Sequence, residues 1–116
     1  MEPLALMLIV SGLLALGSLA LGVVVHLIGL GRIAPSAVLG LPGNGLRADA
    51  STYRATHRAA TPLTWLATSV AAVAAIGALI AGLQEGLAEW AVLAVLSAIV
   101  LVVGLTLATW RAHTAR

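Results

Sequence analysis

Three long runs almost free of charge constrain this 116-residue chain more than any other feature. Leu4 to Leu30 contains no Asp, Glu or Arg and one titratable side chain, His26. Pro62 to Leu83 contains none, and Leu87 to Trp110 has only Glu89, near its start. A helix that crosses a bilayer needs about 20 mainly apolar residues to span a hydrocarbon core about 30 Å thick. Membrane strands would be about 10 residues long with alternating polarity; these runs are continuous, so helices are expected. Composition agrees: 61% of residues are hydrophobic and 9% charged, against about 45–50% and about 25% in a soluble domain. So few charges cannot cover a water-facing surface. With no Cys there is neither a disulfide framework nor a thiolate metal site. The expectation is a single all-α integral membrane domain. Its spans run at about 4–30, 62–83 and 87–110, and a connection at 31–61 carries a short amphipathic interfacial helix.

The charges sit asymmetrically. All six basic residues are Arg. Arg32, Arg47, Arg54 and Arg58 fall between the first and second runs, and Arg111 and Arg116 follow the third. Three spans put the first loop and the C-terminus on one side. Basic residues mark the cytoplasmic side, so the N-terminus and the Gln84-Glu85-Gly86 turn are expected outside. The start, Met1-Glu2-Pro3, is acidic and the run behind it is long, unlike a cleaved signal. Trp65, Trp90 and Trp110, near run ends, read as headgroup-level anchors.

Helices in lipid associate through small residues rather than through the hydrophobic effect. The first run offers Ser11, Ala15, Ser18, Gly22 and His26, in steps of three and four that keep one face. The second offers Thr61, Thr64, Thr68, Ala72, Ala75 and Gly82; the third offers Ala94, Ser97, Gly104 and Ala108. Such faces serve internal packing or a partner membrane protein equally well.

The polar chemistry lies in the connection. A semi-apolar stretch, Ile33 to Leu41, is expected along the membrane surface. Pro42-Gly43-Asn44-Gly45 is a turn signal. Asp49 or Ser51 can N-cap a helix running to about Thr61, with Pro62 opening the next span. Tyr53 and His57 are four apart, as are Arg54 and Arg58, so each pair shares a face. The arginines are expected to meet anionic headgroups on the cytoplasmic side, or a more specific anion beside the glycine turn. His57 is either a packed residue bonded to Tyr53 or a backbone carbonyl, or a proton-linked or ligand-contacting group.

Gly45-Leu46-Arg47 beside Asn44, the aromatic-x-x-x-His-Arg arrangement from Tyr53 to Arg58, and Ala59-Ala60-Thr61-Pro62 together resemble the SdpI/YhfL family of small bacterial membrane proteins, with Tyr53 at that family's Trp position. The resemblance implies a multi-span inner-membrane protein with no enzymatic chemistry, of a kind that includes an immunity factor that also signals the presence of a toxic peptide. The positions that carry over are Gly45, Arg47, Tyr53, His57, Arg58 and Pro62.

Other chemistry is poorly supplied. His26, His57 and His113 lack metal-ligand spacing. Glu85 and Glu89 suit the positive end of a helix dipole. No nucleophile–base motif, phosphate loop or nucleic-acid module appears. The expectation is therefore a non-enzymatic membrane protein without cofactor or metal and without a nucleic-acid partner. It would recognise a lipid, peptide or protein through its Arg/His segment. The alternative is an accessory subunit of a respiratory or envelope-assembly complex, for which another membrane protein or a second copy is the partner. An oligomeric transporter or channel is weaker, because intramembrane charge is nearly absent.

Overall fold

The computed structural model describes residues 2–33, 39–47 and 49–115, and the side chains of Asn44 and Arg47 fall outside that description. Its described residues form helices α1 (Pro3–Gly29), α2 (Ala50–Leu83) and α3 (Leu87–Thr114), with a 3₁₀ turn at Asn44–Arg47 before α2. All three helices are long and apolar enough to cross a membrane. They stand side by side in a rod of 48 × 21 × 19 Å. α2 is the central member, packed along its length against both neighbours.

Local chemistry sets each boundary. Pro3 opens α1, where its missing N–H is no loss. At the other end Gly31 turns left-handed, φ 77°. Its N–H reaches the Ile28 carbonyl at 3.0 Å and the Arg32 N–H reaches Leu27 at 3.0 Å, the paired closure of a Schellman motif. α2 ends the same way: Glu85 N–H bonds Gly82 at 3.0 Å and Gly86 N–H bonds Ala81 at 2.9 Å, but here the left-handed position is a Glu, φ 60°. Asp49, not Ser51, caps α2; its Oδ1 accepts the Thr52 N–H at 2.7 Å.

One expectation needs correction. The described residues hold no separate interfacial helix before the second span: α2 is continuous for 34 residues through Pro62, about 51 Å at 1.5 Å per residue. A single buried seam carries it. Tyr53, His57, Ala60, Thr64, Ala67, Ala71, Ala74, Ala78 and Ala81 are all buried, in alternating steps of four and three, and tertiary packing on that seam overrides the break. Pro62 therefore lies inside the helix rather than opening it, with its ring on the exposed side. Its missing N–H removes the helical donor to the Arg58 carbonyl, and hydroxyls bond the carbonyls on either side of that one. Thr61 Oγ1 donates to His57 O at 2.8 Å and Thr64 Oγ1 to Ala60 O at 2.9 Å.

The small residues set the helix spacing. A Cβ on Gly22 would fall 2.8 Å from Thr68 Oγ1 and 2.9 Å from Trp65; one on Gly29 would fall 2.9 Å from the Arg58 Cα. Nearer the other end, Gly82 faces Met7. These pairs run in opposite directions along α1 and α2, as an antiparallel pair requires. Ser11, Ser18 and Gly22 are buried, Ala15 is half-buried, and His26 is exposed, edge-on to Trp65 at 6.1 Å. Between α2 and α3, Ser97 Oγ donates to Ala71 O at 2.7 Å, and a Cβ on Gly104 would overlap that of Ala67. α1 and α3 meet through Trp90, whose Nε1–H lies 2.7 Å from Ser11 Oγ and 3.1 Å from Met7 O.

Candidate functional site

The loop end of the bundle is closed by the connection itself. Leu41 (1% exposed) and Leu46 (0%) join Val25, Ala60, Ala108 and Ala112 in one core cluster that all three helices contribute to. The surface-lying course expected of Ile33–Leu41 fails at Leu41, which burial draws inward; residues 34–38 lie outside the described residues.

Two side chains from the first turns of α2 hold that loop. Tyr53 (1% exposed) and His57 (0%) lie against each other at 4.8 Å between ring centres, their planes tilted by 51°. Tyr53 O–H donates to Leu39 O at 2.9 Å. The Leu41 N–H donates to His57 Nε2 at 2.9 Å. Nε2 is therefore the unprotonated nitrogen, and the proton sits on Nδ1, which donates to Tyr53 O at 2.8 Å. Between the two bonded loop residues Gly40 has φ 99°, and a Cβ there would run into the His57 ring and lie 2.9 Å from Ile28. Gly43, φ 126°, packs as closely on His113, whose Nε2 would lie 2.8 Å from an added Cβ.

Arg54 and Arg58 point the other way. Both are exposed on the outer side of α2. With Ala50, Ser51, Ala55 and Ala59 they line an open groove of about 620 Å³. The Arg54 side chain lies over the end of α1, its Nε 3.1 Å from where a Gly31 Cβ would be. Positive charge there complements the negative end of the helix dipole. The chain's four acidic side chains are Glu2, Asp49, Glu85 and Glu89. Three of them stand at the far end of the bundle, and Asp49 caps α2. Its carboxyl is held below its ordinary pKa by the Thr52 backbone N–H. The two guanidiniums thus form a cationic patch on this groove.

The expected site residues separate into two groups. Tyr53 and His57 face the interior, while Arg54 and Arg58 face the groove. Gly45 lies in the 3₁₀ turn; the Asn44 and Arg47 side chains lie outside the described residues. Sequence reasoning missed the clamped residues Leu39, Gly40 and Leu41, the His113–Gly43 contact and the Trp90–Ser11 tie. The one local signal was a pair of leucines, Leu41 and Leu46, flanking the glycine turn of the connection. Among the described residues no group of three His, Asp or Glu side chains is placed to hold a metal.

Comparison of the chain with protein-family models, with curated proteins and with solved structures finds no match.

Proposed function

We propose that the chain is a non-enzymatic, multi-pass protein of the bacterial inner membrane that recognises an anionic ligand at the cytoplasmic surface through Arg54 and Arg58. The observation that carries this reading is the division of labour within one helical turn. Tyr53 and His57 are turned inward to fasten the loop, so Arg54 and Arg58 are held side by side on a rigid helix, lining a groove whose described walls include no carboxylate. Rigid placement of charge favours recognition of a specific anion over the diffuse attraction of a polybasic tail. The Arg positions and the positive-inside rule support a cytoplasmic location for this surface, with the N-terminus outside and the C-terminus inside. The resemblance to the SdpI/YhfL family supports an immunity- or signalling-type role in which binding, not catalysis, is the activity.

The accessory-subunit reading relied on small-residue faces left free for a partner. Ser11, Ser18 and Gly22 are instead taken up within the bundle, which favours a free-standing factor. Mild-detergent affinity purification followed by mass spectrometry of accompanying protein and lipid tests the proposal. A species held by the wild type and lost from an inserted, folded Arg54→Gln/Arg58→Gln variant is the expected result. Identical co-purification with both proteins refutes it.

A further inference from the structure

A second feature begins about one turn beyond the Arg54–Arg58 groove, on the side of α2 that borders α3. The seam between α2 and α3 opens toward lipid as an apolar groove of about 300 Å³, walled by Leu63, Leu66 and Val70 on α2 and Val103, Gly104 and Leu107 on α3. Its floor is the Gly104–Ala67 contact, which draws the two backbones together between larger side chains. Four residues beyond Leu107, on the same face of α3, stands Arg111. Its guanidinium is exposed and makes one long bond, 3.4 Å, to Thr114 Oγ1. Trp110, beside it, is 63% exposed. Among the described residues the acidic side chain at this end is Asp49, which is engaged as the cap of α2; Glu2, Glu85 and Glu89 belong to the far end.

We propose that this groove is a binding site for one anionic phospholipid, with an acyl chain laid along the α2–α3 seam and its phosphate on Arg111. Charge complementarity selects the headgroup, and Trp110 sits at the headgroup level that indole rings favour. The shape of the walls selects an alkyl chain over a protein helix. Helix pairs in membranes close on small residues that let backbones touch. Here the rim consists of Leu63, Leu66, Val103 and Leu107, and the small residues at the floor are already covered by each other. A chain one carbon wide reaches that floor; a helix does not.

The full-length protein, reconstituted into vesicles of equimolar dioleoylphosphatidylcholine and dioleoylphosphatidylglycerol and extracted in mild detergent, gives the test by native mass spectrometry. The expected result is a monomer retaining one phosphatidylglycerol over phosphatidylcholine by about fivefold, the preference one basic residue confers near an anionic surface. Arg111→Gln should bring that preference near unity. Val70→Trp fills the groove from an exposed position and should cost retention of both lipids at unchanged helicity; Leu66→Phe is the milder filler should that variant fold poorly. Equal retention of the two lipids by the wild type overturns the proposal. So does a preference untouched by Arg111→Gln and Val70→Trp but abolished by Arg54→Gln/Arg58→Gln, which places the lipid in the other groove. A lipid-free dimer that Val70→Trp dissolves overturns it as well, by making the seam an interface between copies.

Discussion

The Leu41 amide donates to His57 Nε2 at 2.9 Å across a wholly buried contact, so the connection is tied into the bundle by a neutral imidazole on α2. His57→Ala removes the acceptor and leaves a space behind it. Losing a buried partner costs about 1–3 kcal/mol, and the cavity adds to that. The expected result is a clear drop in thermal midpoint in detergent. Tyr53→Phe removes the bond to Leu39 while keeping the ring, and should cost less, about 0.5–1.5 kcal/mol. Because both side chains restrain one loop, the double variant should lose less than the two losses combined.

The glycines of α1 divide sharply. Around Gly17 nothing lies within 4 Å of an added Cβ. Gly17→Ala should therefore stabilise, by about 0.5–1 kcal/mol from helix preference. Gly29→Ala instead drives a methyl group into the Arg58 backbone, which cannot rotate aside, and should lower the midpoint. Parallel melts of the two variants read the contrast directly.

Glu85 occupies the left-handed position that closes α2. A non-glycine residue pays roughly 1–2 kcal/mol there. Glu85→Gly should raise stability by about 1 kcal/mol through relief of that conformation. An unchanged or lowered melting temperature would show that the side chain supplies a compensating contact.

Asp49, outside the spans, carries a clear pH dependence. The Thr52 N–H bond lowers its pKa in the folded state. Its contribution is therefore complete above the ordinary carboxylate pKa and is lost as pH falls through the depressed value. Acidification should speed amide exchange in the first turn of α2, around Thr52, before the spans respond. Asp49→Asn keeps a good cap and should remove the acid-induced change.

The spans were legible because lipid leaves a chain few choices: a continuous apolar run of that length must be helical. Their lateral packing was legible in part, since Ser11, Ser18, Gly22, Ala94, Ser97 and Ala108 all lie buried. The extent of α2 was misread at Pro62. Proline at the start of an apolar run signals a helix opening, yet the four-and-three spacing from Tyr53 through Ala60 to Thr64 already continued across it. Which way Tyr53 and His57 face was open in the sequence: four-residue spacing puts two side chains on one face without saying what that face meets. The answer came from Leu39 and Leu41, some fifteen residues away in a loop whose path no local periodicity describes.

The account stands on one geometry, a helix that turns Arg54 and Arg58 outward at the cytoplasmic surface and its opposite side inward. The chain has no Cys, so single cysteines report without background. Ala55, exposed in the arginine groove, and Ala60, wholly buried, are the informative positions. With a membrane-impermeant maleimide, Ala55→Cys should react only after cells are permeabilised, and Ala60→Cys should stay protected in both states. Labelling of Ala55→Cys from outside intact cells, or equal reactivity of the two positions, would contradict it.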